Sequence, residues 1–149
     1  MKVLGIHISK GQFRFAVIEG TKNNPVLIDK GRMVTTNPQK VPQLMDWYDT
    51  HFRELVDKFK PEKIAYRLTL NPRKEQLFTS EFPFGILNLL AHQQGIPIVA
   101  YSPQSFVPSK LGLPKNTNIL NYCDDIFGSQ PPYWDDNQRY SILVAWFEV

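Results

Sequence analysis

Three strand-like segments joined by short polar turns open the chain and constrain its fold more than any other feature. Residues 3–8 form a nearly continuous apolar run, which is typical of a central strand covered on both faces. Phe13, Phe15 and Val17 then show the period of two of a β-strand, and residues 25–35 form a third strand-like segment. Because the turns are short, the sequence predicts an antiparallel three-stranded meander.

The spacing of apolar residues changes after residue 40 to steps of three and four, which indicates an amphipathic helix. This helix is predicted to begin near Pro42, since proline is tolerated in a first turn, and to stop at Pro61. Its apolar face comprises Leu44, Tyr48, Phe52, Leu55 and Phe59.

Two more strands alternate with helices in the middle of the chain. Residues 63–70 form a β-type run, residues 84–94 a helix closed by Gly95, and residues 96–101 a short apolar strand. Parallel strands separated by helices need right-handed crossovers. We therefore expect the fourth and fifth strands to extend the sheet on the other side of the first strand.

Proline and glycine punctuate residues 103–114 and prevent a long helix there. A helix is predicted over about residues 116–127, ended by Gly128, and a final helix over about residues 135–147. The complete order predicts an α/β fold with a five-stranded mixed sheet flanked by helices. At 149 residues the chain has the length of one domain, and we expect residues 1–149 to form a single one.

Charge is distributed unevenly along the chain. Residues 1–74 hold 14 Lys and Arg against 7 Asp and Glu, whereas residues 75–149 hold 3 against 7. A basic half can attract phosphate, but no basic run has the length of a typical nucleic-acid patch, so a solvated surface is the simpler interpretation. The single cysteine, Cys123, and the lack of a signal-like or membrane-spanning run lead us to expect a cytoplasmic protein without a membrane partner.

Four local motifs occur in an order known from one superfamily. They are LGIHIS at residues 4–9, AYR at 65–67, GIPIVAYSP at 95–103 and DNQRYSILVA at 136–145. Together they resemble the RNase H-like superfamily, and specifically the RuvC-type Holliday-junction resolvases. In that family the first strand carries Gly-Ile-Asp, the fourth strand ends in Ala-Ile-Glu, and the last helix begins Asp-x-x-Asp. The resemblance implies the RNase H-like fold for most of the chain.

The resemblance also implies where catalytic acids would lie. In the family, four carboxylates hold two Mg²⁺ ions that activate a water and stabilise the leaving oxygen. The matched positions here are His7, Arg67, Asp136 and Arg139. An alternative register of the last helix replaces the final pair by Asp135 and Gln138. Only one acid remains in either register, and a guanidinium cannot bind a metal, so we expect no metal, no cofactor and no retained nuclease site.

Two interpretations of this degenerate cleft stay open at the level of sequence. Arg67 and Asp136 can form an ion pair that replaces the metal ions electrostatically and leaves an inert, stable cleft. Alternatively, His7, Arg67 and Arg139 can form a small basic pocket that accepts a phosphate or an acidic side chain of a partner.

Further candidate residues surround the predicted cleft. Basic side chains near the ends of the first and fourth strands can contact phosphates, and aromatic side chains before the last helix can stack on bases or contribute to a protein interface. The candidates for binding nucleic acid or a protein partner are Lys10, Arg73, Lys74, Tyr133, Trp134 and Asp135.

The sequence therefore predicts a catalytically inactive, RuvC-like binding module that engages nucleic acid or a protein partner through the former active-site cleft. One alternative is an active metal-dependent nuclease with a reduced ligand set. Another is a structural subunit of a larger assembly. The resemblance further implies that a homodimer is possible.

Overall fold

A five-stranded mixed sheet carries two helices on each face. The computed structural model describes residues 1–35, 40–68 and 81–149. The strands are β1 (Lys2–Ser9), β2 (Gln12–Gly20), β3 (Pro25–Val34), β4 (Lys63–Arg67) and β5 (Ile98–Tyr101). The helices are α1 (Val41–Phe59), α2 (Phe82–Gln94), α3 (Ile119–Phe127) and α4 (Asp136–Glu148). No helix within the described ranges combines the length and apolar character that crossing a bilayer requires.

The strand order is β3-β2-β1-β4-β5. Strand β1 pairs antiparallel with β2 and parallel with β4, β3 pairs antiparallel with β2, and β5 pairs parallel with β4. The predicted meander and the predicted addition of the fourth and fifth strands beyond the first are therefore confirmed.

Alternation along the strands divides the core into two layers. Leu4, Ile6 and Ile8 of β1 pack with α1 and α2, whereas Val3 packs on the opposite face with α3 and α4. The predicted apolar face of α1 is buried, and α1 ends at Phe59, before a left-handed Lys60. Both sides of β1 are covered, as its continuous apolar run predicts.

Several predicted boundaries are wrong by a few residues. Strand β4 ends at Arg67 rather than at 70, and residues 69–70 lie outside the described part of the chain. Strand β5 begins at Ile98 rather than 96. Helix α3 begins at Ile119 rather than 116, because the Asn118 side chain accepts hydrogen bonds from the first-turn N–H groups and caps the helix there.

Helix α4 lies directly against β1 where it crosses the strand at Gly5. A Cβ at this position would collide with the carbonyl oxygen of Ser141 and would lie 2.9 Å from the Cβ of Ala145. Only glycine allows this contact. It places the first turn of α4 beside His7, at the carboxyl end of β1.

We expect Gly5→Ala to lower the free energy of unfolding by about 1–3 kcal/mol, because the added methyl group must displace helix backbone rather than a flexible side chain. Urea denaturation measures this change. Gly85→Ala is the matched control: a Cβ on this exposed residue of α2 meets nothing within 4 Å, so a gain of about 0.5–1 kcal/mol is expected. Equal stability of Gly5→Ala and the unmodified protein would contradict the packing described here.

Candidate functional site

A row of basic side chains crosses the sheet beneath the first turn of α4. His7 of β1 is paired in register with Arg14 of β2 and with Arg67 of β4, and Arg14 is paired with Arg32 of β3. Residues in register on neighbouring strands point to the same face, so the four side chains lie side by side. We call Arg32, Arg14, His7 and Arg67 the basic row.

His7 occupies the centre of the row and is almost completely buried, with 5% of its surface exposed. Its Nε2 is hydrogen-bonded to Oδ1 of Asn137 at 3.2 Å, and its ring centroid lies 5.2 Å from that of Tyr140. Burial, and then the charge of Arg67, lower the pKa of His7 to about 4. The imidazole is therefore neutral at pH 7.

Arg67 lies against aromatic rings instead of a carboxylate. Its guanidinium carbon is 4.1 Å from the ring centroid of Tyr140 and 5.3 Å from that of Phe106. Burial lowers the pKa of Arg67, but a guanidinium stays protonated in proteins. Among the described residues Arg67 contacts no acid, and its Nε is buried without a hydrogen-bond partner. In the described part of the chain, no neighbouring carboxylate therefore compensates this positive charge.

The expected Arg67–Asp136 ion pair is not formed. Asp136 instead accepts a hydrogen bond from Arg139 at 3.1 Å, one turn along α4. Arg139 also donates to both carboxylate oxygens of Asp124 on α3, at 2.9 and 3.1 Å. These contacts hold Asp136 and Arg139 on the side of α4 that faces α3.

The second interpretation, a basic pocket of His7, Arg67 and Arg139, is therefore wrong for Arg139, which does not face the cleft. Hydrogen bonding to Asp124, set against burial, raises the pKa of Arg139 and fixes its guanidinium in an ion pair. Helix geometry gives the reason, because adjacent residues on a helix differ in direction by about 100°. Arg139 and its neighbour Tyr140 thus cannot both face the cleft.

The residues of α4 that do face the cleft are Asn137 and Tyr140, spaced one turn apart. Neither register considered from the sequence includes them. Asp135 caps the helix by accepting from the N–H of Gln138, and the buried Gln138 side chain donates to the carbonyl oxygen of Phe15. The group that meets at the cleft is His7, Arg67, Asn137 and Tyr140.

These four residues do not fit the two-magnesium site that the resemblance implies. None carries a carboxylate. The imidazole of His7 and the amide oxygen of Asn137 are hydrogen-bonded to each other, and His7 lies next to Arg67 on the adjacent strand. Across the described ranges, no three His, Cys, Asp or Glu side chains are grouped so that they could hold a metal ion. We therefore derive no metal-dependent step for this cleft.

Arg14 fixes the beginning of α4 above the row. Its two terminal nitrogens donate to the two carboxylate oxygens of Asp135, at 2.8 and 2.9 Å, and one also donates to the carbonyl oxygen of Tyr133 at 3.0 Å. Burial opposes ionisation of Asp135, but the hydrogen bonds from Arg14 and from the N–H of Gln138 outweigh it and lower its pKa. Arg14 is not among the candidates predicted from the sequence, although its place opposite His7 in the predicted hairpin was the available signal.

The remaining candidates lie at the outer edge of the cleft or outside the described residues. Tyr133 is 54% exposed, and the guanidinium of Arg32 lies 4.6 Å from its ring centroid. Trp134 is held by a hydrogen bond from its Nε1 to Asp124 at 2.6 Å. Lys10 is exposed in the turn between β1 and β2. Arg73 and Lys74 lie outside the part of the chain that the structure describes.

Buried polar atoms without hydrogen-bond partners concentrate in this region. In the described part of the chain, they all belong to β1, β2, β4 or the first turn of α4. They are His7 Nδ1, Ser9 Oγ, Arg14 Nε, Arg67 Nε and Gln138 Oε1. Since buried polar groups are nearly always satisfied in folded proteins, this concentration is typical of a site that binds polar ligands or water.

The charge state of His7 makes stability depend on pH. The folded pKa lies below the unfolded one, so the unfolded chain binds a proton between about pH 6.5 and 4 that the folded chain excludes. Stability is complete above that window and falls through it, by roughly 3 kcal/mol. We expect His7→Gln to remove this dependence in urea titrations at a series of pH values, and His51→Gln on α1 to retain it. A wild-type-like slope in His7→Gln would contradict the assignment.

The Arg14–Asp135 contact is expected to stabilise the start of α4. Arg14→Met should lower the free energy of unfolding at pH 7 by about 1–3 kcal/mol, because a charged carboxylate and a backbone carbonyl lose their donors. The loss should diminish as pH falls through the lowered pKa of Asp135, since the protonated carboxyl no longer pairs. Arg53→Met is the control: its ion pair with Asp49 on α1 is half-exposed and should contribute less than about 1 kcal/mol.

No protein-family model matches the chain. The crossover junction endodeoxyribonuclease RuvC of Petrotoga mobilis is 27% identical over 104 residues, which are 69% of this chain and 64% of that protein. The chain thus matches less than two thirds of that relative's length.

Solved structures show closer similarity in fold. RuvC of Thermus thermophilus in complex with a Holliday junction substrate superposes with a TM-score of 0.78 at 17% identity, covering 99% of this chain and 91% of that one. The yeast mitochondrial Holliday junction resolvase Ydc2 gives a TM-score of 0.72 at 16% identity, covering 97% and 76%. The resemblance found in the sequence is confirmed: the protein has the RNase H-like fold of the RuvC-type resolvases.

Proposed function

We propose that the protein is a nucleic-acid-binding module that uses the RNase H-like cleft to hold phosphate groups and does not cleave them. One observation carries the proposal: the guanidinium of Arg67 lies beside His7 with no acid next to it among the described residues. A cation therefore stands where the resemblance implies a metal-binding carboxylate.

The nucleic-acid part of the proposal rests on charge and on similarity of fold. Arg32 and Arg67 supply positive charge at the two ends of the basic row, and Lys10 adds an exposed ammonium group near the end of β1. Lys and Arg at a cleft attract phosphates and release counterions when they bind. The similar solved structures include a resolvase in complex with a Holliday junction, which makes branched DNA the first ligand to examine.

The inactive part of the proposal rests on the chemistry of the four cleft residues. Metal ions hydrolyse phosphodiesters by activating a water as well as by neutralising charge. A guanidinium can neutralise a phosphate, but it cannot lower the pKa of a water molecule in the way a metal ion does. Asn137 and Tyr140 add hydrogen-bonding groups without adding a carboxylate base. The cleft therefore retains the groups for binding and lacks those for the family's reaction.

Fluorescence anisotropy with a four-way junction, duplex DNA, single-stranded DNA and RNA tests binding. We expect affinity that falls steeply with salt, and a loss of roughly tenfold in Arg67→Ala, since one phosphate contact with arginine is removed. Arg53→Ala removes an equal charge from α1, on the opposite face of the sheet, and should leave affinity unchanged.

Incubation of the same nucleic acids with Mg²⁺ or Mn²⁺ tests inactivity, and we expect no cleavage. Cleavage that disappears in His7→Gln would overturn the inactive assignment in favour of a nuclease with a reduced ligand set. Absence of binding to every nucleic acid at low salt would overturn the nucleic-acid assignment.

A protein partner is the second candidate because of the edge strand β3. Val26, Ile28 and Val34 on this strand are 55%, 43% and 45% exposed. Exposed apolar side chains on an unpaired sheet edge favour contact with another chain. A stable oligomer or a co-purifying protein, together with no nucleic-acid binding, would support this candidate or a structural subunit instead.

A further inference from the structure

A cavity of about 300 Å³ opens next to the basic row, on the side of Arg67. It is lined by Arg67 and Tyr140, by Pro103, Phe106 and Pro108 of the segment after β5, and by the residues that begin α3. None of its lining residues is acidic, and Arg67 is the one cation among them. The cavity thus combines a single positive charge with apolar and aromatic walls.

We infer that this cavity binds one nucleoside monophosphate unit, with its phosphate on Arg67 and its base against the apolar wall. The unit can be a free nucleotide or an unpaired nucleotide of a nucleic-acid strand, since both present the same chemistry. The second source rests on the proposed function, and the experiment below separates the two.

The stacking of Arg67 favours a phosphate over other polar groups. The ring centroids of Tyr140 and Phe106 lie 4.1 and 5.3 Å from the guanidinium carbon, and the two rings are nearly perpendicular, so they hold the guanidinium from two directions. Its terminal N–H groups have no acidic partner among the described residues. An arginine fixed in this way presents parallel donors that match two oxygens of a phosphate.

The other walls suit a base. Pro103, Pro108 and Ile119 present apolar surface on which a planar ring can lie. The Oδ1 of Asn118 is occupied by the N–H groups of Leu120 and Asn121, so its amide nitrogen remains to donate to a base carbonyl. The Thr117 hydroxyl adds a group that can donate or accept.

The volume of the cavity limits what can enter. About 300 Å³ lies at the lower end of the range for small-molecule sites, which admits one nucleotide-sized group. A base-paired nucleotide cannot reach such a cavity without leaving its stack. The ligand is therefore an unpaired nucleotide, whereas Arg32 and Lys10, outside the cavity, can contact the phosphates of paired strands.

Isothermal titration of the full chain with dAMP and dTMP, with the corresponding nucleosides and with inorganic phosphate tests the inference directly. We expect both nucleotides to bind more tightly than either fragment. Thr117→Trp, which fills the cavity and leaves the basic row intact, should weaken nucleotide binding roughly tenfold or more. Thr50→Trp, at an exposed site on α1, is the matched control and should bind like the wild type.

Anisotropy with oligonucleotides then identifies the source of the nucleotide. If the unit belongs to a strand, Thr117→Trp should weaken binding of single-stranded DNA roughly tenfold and leave fully paired duplex unaffected. Nucleotide binding with no binding of any nucleic acid would support the free nucleotide and overturn the proposed function. Wild-type affinity of Thr117→Trp for nucleotides and single strands, alongside junction binding that depends on Arg67, would overturn the cavity assignment and leave the proposed function standing.

Two further outcomes would also overturn the assignment. Equal affinity for inorganic phosphate and nucleotides would show that the base is not recognised. An acidic peptide that binds as tightly as dAMP, and loses affinity in Thr117→Trp, would assign the cavity to a protein partner. Should Thr117→Trp fail to fold by circular dichroism, Arg67→Gln replaces it, with loss of nucleotide binding as the expected result and undiminished binding as the contradicting one.

Discussion

The contact between Gly5 and the backbone of α4 determines the arrangement of the whole cleft. A helix can approach a strand this closely only where the strand lacks a side chain. The contact brings the carbonyl of Ser141 onto β1, and it fixes both the position of α4 along the strand and its rotation about its own axis. Every side chain in the first turn of α4 takes its direction from that rotation.

Because of this rotation, neighbouring residues at the start of α4 face two different electrostatic environments, the cleft and helix α3. Asn137 and Tyr140 face His7 and Arg67, where positive charge has no acidic partner in the described structure. Asp136 and Arg139 face α3, where they join Asp124 in an ion-pair network. A rotation by one residue would bring Asp136 and Arg139 to the cleft in place of Asn137 and Tyr140, and would put a second guanidinium next to Arg67. Packing at a glycine thus controls the charge of a site one helical turn away.

The sequence predicted the fold because the spacing of apolar residues identifies each strand and helix and so gives their order. The burial of both faces of β1, the face of α1 and the position of β4 beside β1 all follow from spacing and from crossover handedness. The composition of the cleft was predicted only in part. His7 and Arg67 were found through the strand motifs that resemble the RuvC-type family, and the structure places them in register on neighbouring strands. The facing residues of α4 were not, because motif matching aligns a helix along the chain and does not determine its rotation. That rotation depends on contacts such as those of Arg14 with Asp135, which join residues far apart in sequence.

An arginine in place of metal ions affects the catalytic capacity of a cleft more than its capacity to bind phosphate. A divalent ion and a guanidinium both attract phosphate oxygens, but the ion also acidifies a bound water, whereas the guanidinium offers a planar set of donors and nothing more. Contact with the rings of Tyr140 and Phe106 then holds Arg67 without neutralising its charge, as an ion pair with Asp136 would have done. Phe106 belongs to the segment after β5, and Pro103 and Pro108 of the same segment line the adjoining cavity. Arg67 therefore acts in two places: with the missing carboxylates it makes the cleft unsuited to metal ions, and it supplies the cation that lines the adjoining cavity.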